Sequence, residues 1–196
     1  MKEKKKRLAK KNLQVNARNS LLDFICYLHP NYQVNWHHIA ICDRLTKLKD
    51  ERGKKLMIFL GPQRGKSEIV SRYFPAWWLG HFPGSKNILS SYSGDLANSF
   101  NRDSQAIITD PRFKEIFPEL ITGKDSNALK ATQNELQTSR RGYLFSVGVE
   151  GSTTGRSAGE ITGGLESIYP GLFICDDPIK DLADAFSANS RMKKMN

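Results

Sequence analysis

The chain is poor in cysteine and contains no long apolar run. Its three cysteines have neither paired spacing nor a nearby histidine cluster, which argues against a disulfide framework and against a zinc site. They are expected to be small buried apolar residues in a reducing compartment. No apolar stretch approaches the roughly 20 residues of a membrane span, and no apolar segment follows the basic N-terminus to complete a signal peptide. We therefore expect a cytoplasmic protein with no membrane partner. The cysteines are Cys26, Cys42 and Cys175.

Acidic residues are scarce beside basic ones. The chain has 30 Lys and Arg against 20 Asp and Glu, a net charge of +10. Such a surplus favours a polyanionic partner such as nucleic acid, although a merely solubilising surface is the simpler alternative. Lysine and arginine dominate residues 1–11, so residues 1–20 are expected to form a basic arm, either mobile or a fraying helix end. This arm is either a solvated tail or a contact for phosphates.

Short apolar runs alternate with helical patterns along residues 21–196. The predicted strands are 56–60, 87–92, 143–149 and 172–175, the first of them buried on both faces. The predicted helices cover 21–28, 39–48, the segment after residue 67, and 95–110, and Pro75 should kink or end the third. Residues 52–55 indicate a turn, and 151–166 a loop without periodicity. Strands interleaved with helices indicate one α/β domain with a mainly parallel sheet flanked by helices.

A glycine-rich turn follows the first predicted strand and opens a helix with Lys66-Ser67. Glycines let backbone N–H groups face phosphates at the positive end of a helix, where the lysine adds a charge and the serine hydroxyl can ligate Mg²⁺. The general phosphate-loop pattern has four residues between its glycines, whereas Gly61 and Gly65 enclose three. The predicted nucleotide-binding residues are Gly61, Pro62, Gln63, Arg64, Gly65, Lys66 and Ser67.

A second signal lies at the end of the last predicted strand, where Asp176 and Asp177 follow directly. Ligands of open parallel sheets bind at the carboxyl ends of the strands. Asp176, with Ser67, is the expected magnesium site, and Asp177 the group that orients or deprotonates the attacking water. The alternative for this acidic pair is a helix cap beginning at Asp177-Pro178. Together the two motifs favour nucleotide hydrolysis.

Taken in order, these segments resemble the large terminase subunits of tailed bacteriophages. The similarity spans about Leu21 to Asp184, and its most specific part runs from Leu56 to Gly80, with a shortened loop containing proline and arginine before Phe-Pro-Ala-Trp. Residues 89–97, 100–103, 147–156 and 174–181 also match, whereas the loop between Arg156 and Leu172 is longer than in compact members. Where many members have a glutamate after the metal-binding aspartate, this chain has Asp177. Members continue into further strands and a nuclease domain, so the resemblance implies an ATPase domain that is C-terminally incomplete.

The resemblance implies a P-loop NTPase of the motor (ASCE) type that binds ATP and Mg²⁺ and translocates double-stranded DNA through its phosphates. The implied partners are a portal protein, a small terminase subunit and further copies in a ring. Alternatives are another P-loop translocase or helicase, and an ATP-binding assembly module without turnover. The predicted catalytic residues are Lys66, Asp177 and Arg64.

Arg64 is the first choice for a cation at the transferred phosphate, because it lies within the loop. Arg156, Arg140 and Arg141 are alternatives for that role. Trp36 is either an aromatic surface for the adenine base or a core residue at a helix start. The adjacent His37 and His38 should point about 100° apart on a helix, which argues against a shared metal.

Overall fold

The computed structural model describes residues 2–51, 55–126, 129–151, 158, 160–161, 168–169, 171–180 and 186. The helices in these ranges are α1 Lys2–Asn19, α2 Leu21–Leu28, α3 Trp36–Lys47, α4 Phe74–His81, α5 Gly94–Thr109 and α6 Pro111–Ile116, and a π-helical segment covers Glu68–Tyr73. The strands are β1 Lys86–Ser91, β2 Glu135–Gln137, β3 Tyr143–Gly148, β4 Glu160–Ile161, β5 Ile168–Tyr169 and β6 Phe173–Asp176.

Four strands form one mixed sheet in the order β2-β3-β1-β6. Strand β1 pairs in parallel with β3 and β6, while β2 is an antiparallel edge strand on β3. In this register Ser91, Gly148 and Asp176 lie side by side, so three parallel strands end at one edge of the sheet. Helix α5 packs on β1 and β3. The predicted α/β class is confirmed: helices flank a mixed sheet in which two of the three strand pairings are parallel.

Helices α2 and α3 lie where apolar periodicity predicts them. The Ser20 side chain accepts a hydrogen bond from the backbone of Asp23 at 3.3 Å and caps α2. This helix ends before Pro30, because the position ahead of a proline disfavours helical backbone. Both helices contribute to the core, in which Trp77 and Trp78 of α4 are also buried. Within the described ranges, no helix combines the length and apolarity that crossing a bilayer requires.

The basic N-terminus is a helix rather than a mobile arm. Helix α1 extends through residues 2–19, and its second half packs on α2 and α6. Ala17 is fully buried, and its carbonyl oxygen accepts a hydrogen bond from the Trp77 indole at 3.1 Å. Arg18 donates to the carbonyl oxygen of Ile116 at 2.8 Å. Lysines and arginines of residues 4–11 remain exposed.

Pro75 neither ends the helix after the loop nor splits it. The preceding segment Glu68–Tyr73 is π-helical, and the Phe74 N–H bonds to the carbonyl oxygen of Ile69, five residues earlier. Pro75 thereby falls in the first turn of α4, directly after the π-helical segment. The prediction that Pro75 ends the helix early is wrong. The helical bonding instead changes to the π type in the turn before the proline.

The predicted strand at residues 56–60 is wrong. This segment has no regular secondary structure and no ladder partner among the described residues. Met57 is 80% exposed and Phe59 88% exposed, while Ile58 and Leu60 pack partly against the core. An apolar run becomes a buried strand only where a neighbouring strand bonds to it, and among the described strands the sheet ends at β6.

Two smaller predictions also need correction. The loop predicted over 151–166 contains β4, which pairs antiparallel with β5; most of its other residues, and the predicted turn at 52–54, lie outside the described residues. Cys42 is buried as expected, but Cys175 is exposed. Side chains alternate along a strand, and Phe173 and Cys175 occupy the exposed face of β6.

Candidate phosphate-binding site

The segment from Gly61 to Ser67 is a compact loop that leads into the π-helical segment. Gln63 and Gly65 have left-handed backbones, with φ of 57° and 79°. Such dihedrals are costly for a non-glycine residue and cluster in functional loops. The Ile69 N–H bonds to the carbonyl oxygen of Gly65 at 3.1 Å, so helical bonding begins inside the loop. The sequence therefore folds here into a tight turn ahead of a helical N-terminus, the arrangement that suits an anion.

Lys66 reaches from this loop to both predicted acids. Its Nζ lies 3.2 Å from Oδ1 of Asp176 and donates a hydrogen bond to Oδ1 of Asp177. The loop and the end of β6 are more than 100 residues apart in sequence, so the fold is what joins them. The lysine predicted to bind phosphate and the two carboxylates predicted to handle metal and water form one cluster.

Asp176 is the fixed member of this cluster. It is the last residue of β6 and 4% exposed, and its Oδ2 accepts a hydrogen bond from the Ser71 hydroxyl at 2.7 Å. Ser91 lies beside it in register on β1, so the two side chains share one face of the sheet. The Ser91 hydroxyl is buried and has no hydrogen-bond partner among the described residues. Sequence reasoning missed both serines, since an isolated serine carries no periodic signal.

The cluster keeps Lys66 positively charged. Partial burial by itself would lower the pKa of Lys66, but the hydrogen bond to Asp177 and the charge of Asp176 outweigh it and raise the pKa above 10.5. Burial raises the pKa of the neighbouring Cys175 thiol, and the charges of the same two carboxylates add to this effect. One ammonium facing two carboxylates leaves a surplus negative charge, which suits a divalent cation better than a second anion.

The backbone of Asp177 is held in place, whereas its side chain is bonded to Lys66 and otherwise faces solvent. Its φ is 46°, and its carbonyl oxygen accepts a hydrogen bond from the Tyr92 N–H at 3.2 Å. Its side chain is 60% exposed. Residues 177–180 are not helical, so the alternative of a helix cap at Asp177-Pro178 is not supported within the described residues. The carboxylate can therefore swing between Lys66 and solvent.

The oxygen donors at this edge of the sheet fit a magnesium ion. Mg²⁺ takes carboxylate and hydroxyl oxygens and usually keeps several waters or substrate phosphates. Asp176 and the unpartnered hydroxyl of Ser91 are such donors, and the Ser67 side chain does not cap the helix that follows it. Among the described residues, no group of three or more His, Cys, Asp or Glu side chains is arranged so that it could hold a metal ion. The protein would therefore hold the ion through few ligands, with phosphate and water supplying the others.

The candidate arginines lie in different places. Arg64 is exposed in the loop, as expected of a group that reaches a phosphate. Arg140 and Arg141 are exposed in the turn before β3, at the amino end of the parallel strands and hence on the edge opposite Asp176. This position argues against either of them acting within the same chain. Arg156 lies outside the described residues.

Helix α3 places two histidines against the loop, a contact that sequence reasoning missed. His37 and His38 both direct Nε2 to the carbonyl oxygen of Arg64, each at 3.2 Å. Adjacent residues on a helix point about 100° apart, yet here both rings turn toward the same atom. Trp36 is 76% exposed, so the interpretation as a core tryptophan is wrong. The signal that could have pointed here was the placement of three aromatic residues just after a helix cap.

A scan of the chain against protein-family models finds no match, and searches of curated proteins and of solved structures find none either.

Proposed function

We propose that this chain is the ATPase part of a phage DNA-packaging motor, which hydrolyses ATP with Mg²⁺ to move double-stranded DNA into a prohead. The observation that carries the proposal is the cluster of Lys66 with Asp176 and Asp177 at the carboxyl end of β6. A lysine at the start of a helical segment and two acids at the end of a parallel strand are the parts that a P-loop motor requires. The sequence resemblance to terminase large subunits adds the substrate.

The contacts assign a role to each charged group. Lys66 would bind the β- and γ-phosphates, the loop amides would surround them, and Arg64 would neutralise charge at the transferred group. Asp176, held by Ser71, would remain in place with Ser67 as a magnesium ligand. Asp177 is the exposed partner, so it is the carboxylate that would release Lys66 to a phosphate and turn to the attacking water. Mg²⁺ would supply charge neutralisation at the phosphates.

Exposed cations support the choice of DNA as the polymer. Lysines and arginines of residues 4–11 project from α1 into solvent, and the whole chain carries a net charge of +10. Contacts to phosphates position a duplex without reading its bases, as a packaging motor needs. The proposal includes a portal protein, a small terminase subunit and further copies of the chain as partners, and the cytoplasm of the host cell as the location.

One observation favours the alternative of an ATP-binding assembly module without turnover. The segment that leads into the loop, residues 56–60, has no strand partner in the part of the chain that the structure describes. A phosphate-binding loop that is anchored from one side is held less firmly than catalysis requires. Binding of nucleotide without release of phosphate would identify this module. A helicase would instead show strand separation.

The test is phosphate release from Mg·ATP, with and without double-stranded DNA, by wild type, Lys66→Ala and Lys124→Ala. Loss of a charge-assisted bond to phosphate costs about 1.5–3 kcal/mol, which corresponds to roughly a ten- to hundredfold lower rate for Lys66→Ala. Lys124 is exposed and away from the site, so its removal should change nothing. Equal rates for wild type and Lys66→Ala would refute turnover, and a parallel titration with a fluorescent ATP analogue would then decide whether binding survives.

A further inference from the structure

The phosphate-binding loop is anchored from the side of helix α3. The carbonyl oxygen of Arg64 has two lone pairs, and His37 Nε2 and His38 Nε2 each lie 3.2 Å from it. On its other side the loop continues from residues 56–60, which have no ladder partner among the described residues. The two imidazoles are therefore the side-chain contacts that tie the middle of the loop to a helix.

The hydrogen bonds of His38 define its tautomer. The backbone N–H of Asn35 donates to His38 Nδ1 at 3.2 Å, in the reciprocal arrangement of a capping box at the start of α3. Because Nδ1 accepts a hydrogen bond, the ring proton of the neutral imidazole is on Nε2, which donates to the Arg64 carbonyl oxygen. One side chain thus satisfies the helix cap with one nitrogen and holds the loop with the other.

Gly65 leaves the space that this contact needs. A Cβ built on Gly65 would lie 2.9 Å from His38 Nε2 and 3.7 Å from the Tyr32 hydroxyl. The ring of Tyr32 lies 5.4 Å from that of His38, so the imidazole is packed between the tyrosine and the glycine. The second glycine of the loop is therefore required twice, once for its φ of 79° and once for the approach of the histidine.

We propose that His38 is a positioning residue for the phosphate-binding loop, acting through its Nε2–H bond to the carbonyl oxygen of Arg64. It touches neither nucleotide nor metal; it fixes the peptide between Arg64 and Gly65 and hence the direction of the amides that follow. This inference rests on the proposed nucleotide site. One hydrogen bond contributes about a factor of five to ten in affinity, so loss of the contact should weaken nucleotide binding by about that factor.

Three substitutions separate the loop contact from the cap. In His38→Gln the amide oxygen can accept the Asn35 N–H, as glutamine does in capping boxes, and the amide nitrogen can donate to Arg64. His38→Glu keeps the cap acceptor but has no donor for the loop, and His38→Ala loses both. Ala40→Glu places the same new charge on an exposed position of α3, away from the loop, as the charge control.

The measurements are nucleotide affinity, by titration with a fluorescent ATP analogue, and the melting temperature of each variant. We expect wild-type affinity and melting temperature for His38→Gln. His38→Glu should bind the nucleotide about five- to tenfold more weakly, with an unchanged melting temperature. In His38→Ala both the nucleotide affinity and the melting temperature should fall. A purely structural role would change affinity and melting temperature together in all variants, and that result, or equal weakening by Ala40→Glu, would overturn the proposal.

A readout without nucleotide keeps this inference distinguishable from the proposed function. Long-range ¹⁵N–¹H spectra of the histidine rings in the wild-type protein should identify His38 as the Nε2–H tautomer. The Gly65 amide resonance should move further in His38→Ala, which loses both the ring and the donor to Arg64, than in His38→Gln, which loses the ring alone. An Nδ1–H tautomer, or an unmoved Gly65 resonance, would refute the positioning role. If neither the wild-type protein nor any variant binds the nucleotide while the spectra show the expected tautomer and shifts, the proposed function is refuted but the hydrogen bond between His38 and Arg64 is confirmed.

Discussion

Acid should destabilise this protein before its carboxylates protonate, because of one histidine. His81 lies in the last turn of α4 with its ring 4.4 Å from that of Trp77 and 5.1 Å from that of Phe117. Its Nε2 donates to the carbonyl oxygen of Arg18 at 2.6 Å. Burial lowers the pKa of His81 from 6.5 to about 4, with the positive charge of Lys49 adding to the effect and the bond to the Arg18 carbonyl opposing it.

The sign and size of the effect follow from this pKa. Because the folded value lies below the unfolded one, the unfolded chain binds more protons between the two values of 6.5 and about 4. The stability due to neutral His81 is complete above the upper value and is lost as pH falls through the window. A shift of about 2.5 units corresponds to about 3 kcal/mol in total. About 2 kcal/mol of this should be lost between about pH 7 and about pH 5.

The assay is urea unfolding followed by tryptophan fluorescence at both pH values, for wild type and His81→Gln. The glutamine amide retains a donor for the Arg18 carbonyl and does not titrate, so its free energy of unfolding should fall by much less over the same interval. Carboxylates with a lowered pKa, such as Glu119, contribute only as pH falls below their ordinary value of 4.5. An equal loss in wild type and His81→Gln would refute the assignment to His81.

Two further predictions concern the loop and the segment before it. Gly65→Ala should lower the free energy of unfolding by about 2 kcal/mol, because alanine is strained at φ 79° and its Cβ meets a nitrogen of His38. Gly61→Ala is the control: no atom lies within 4 Å of the added carbon, so the free energy of unfolding should change by less than about 0.5 kcal/mol. Chemical denaturation measures both variants. Phe59→Ala should lower the free energy of unfolding by less than about 0.5 kcal/mol because Phe59 is exposed, whereas Phe24→Ala, at a fully buried position, should lower it by about 3–5 kcal/mol. Equal losses would show that residues 56–60 are buried.

The parts of the fold that the sequence predicts well are those whose signals are local. Helix α2 follows from apolar spacing between a serine cap and Pro30, and β1 and β6 follow from short apolar runs with turn residues at their ends. The cluster of Lys66 with Asp176 and Asp177 could be predicted because both motifs carry their chemistry in adjacent residues, and because parallel strands end at one edge.

What could not be predicted depends on neighbours that are distant in sequence. Residues 56–60 have the composition of a buried strand, but composition does not say whether a second strand lies beside them. The contacts of Ser71 with Asp176 and of His38 with Arg64 join polar side chains across different elements, and no periodicity marks such pairs. The sequence indicates which side chains carry polar or charged groups, and the packing of distant elements determines which of these side chains are fixed by hydrogen bonds.

The packing of helix α1 has a consequence for N-terminal truncation of this protein. This basic N-terminal segment supplies two backbone acceptors to the rest of the protein. The carbonyl oxygen of Ala17 accepts a hydrogen bond from the indole N–H of Trp77, and that of Arg18 accepts one from the imidazole N–H of His81. Removing residues 1–20 would leave both buried donors without acceptors, and the resulting loss of stability would be mistaken for a loss of DNA binding. Charge reversal at Lys4 separates the two effects, because it changes the exposed charge of α1 and leaves the acceptors at Ala17 and Arg18 in place.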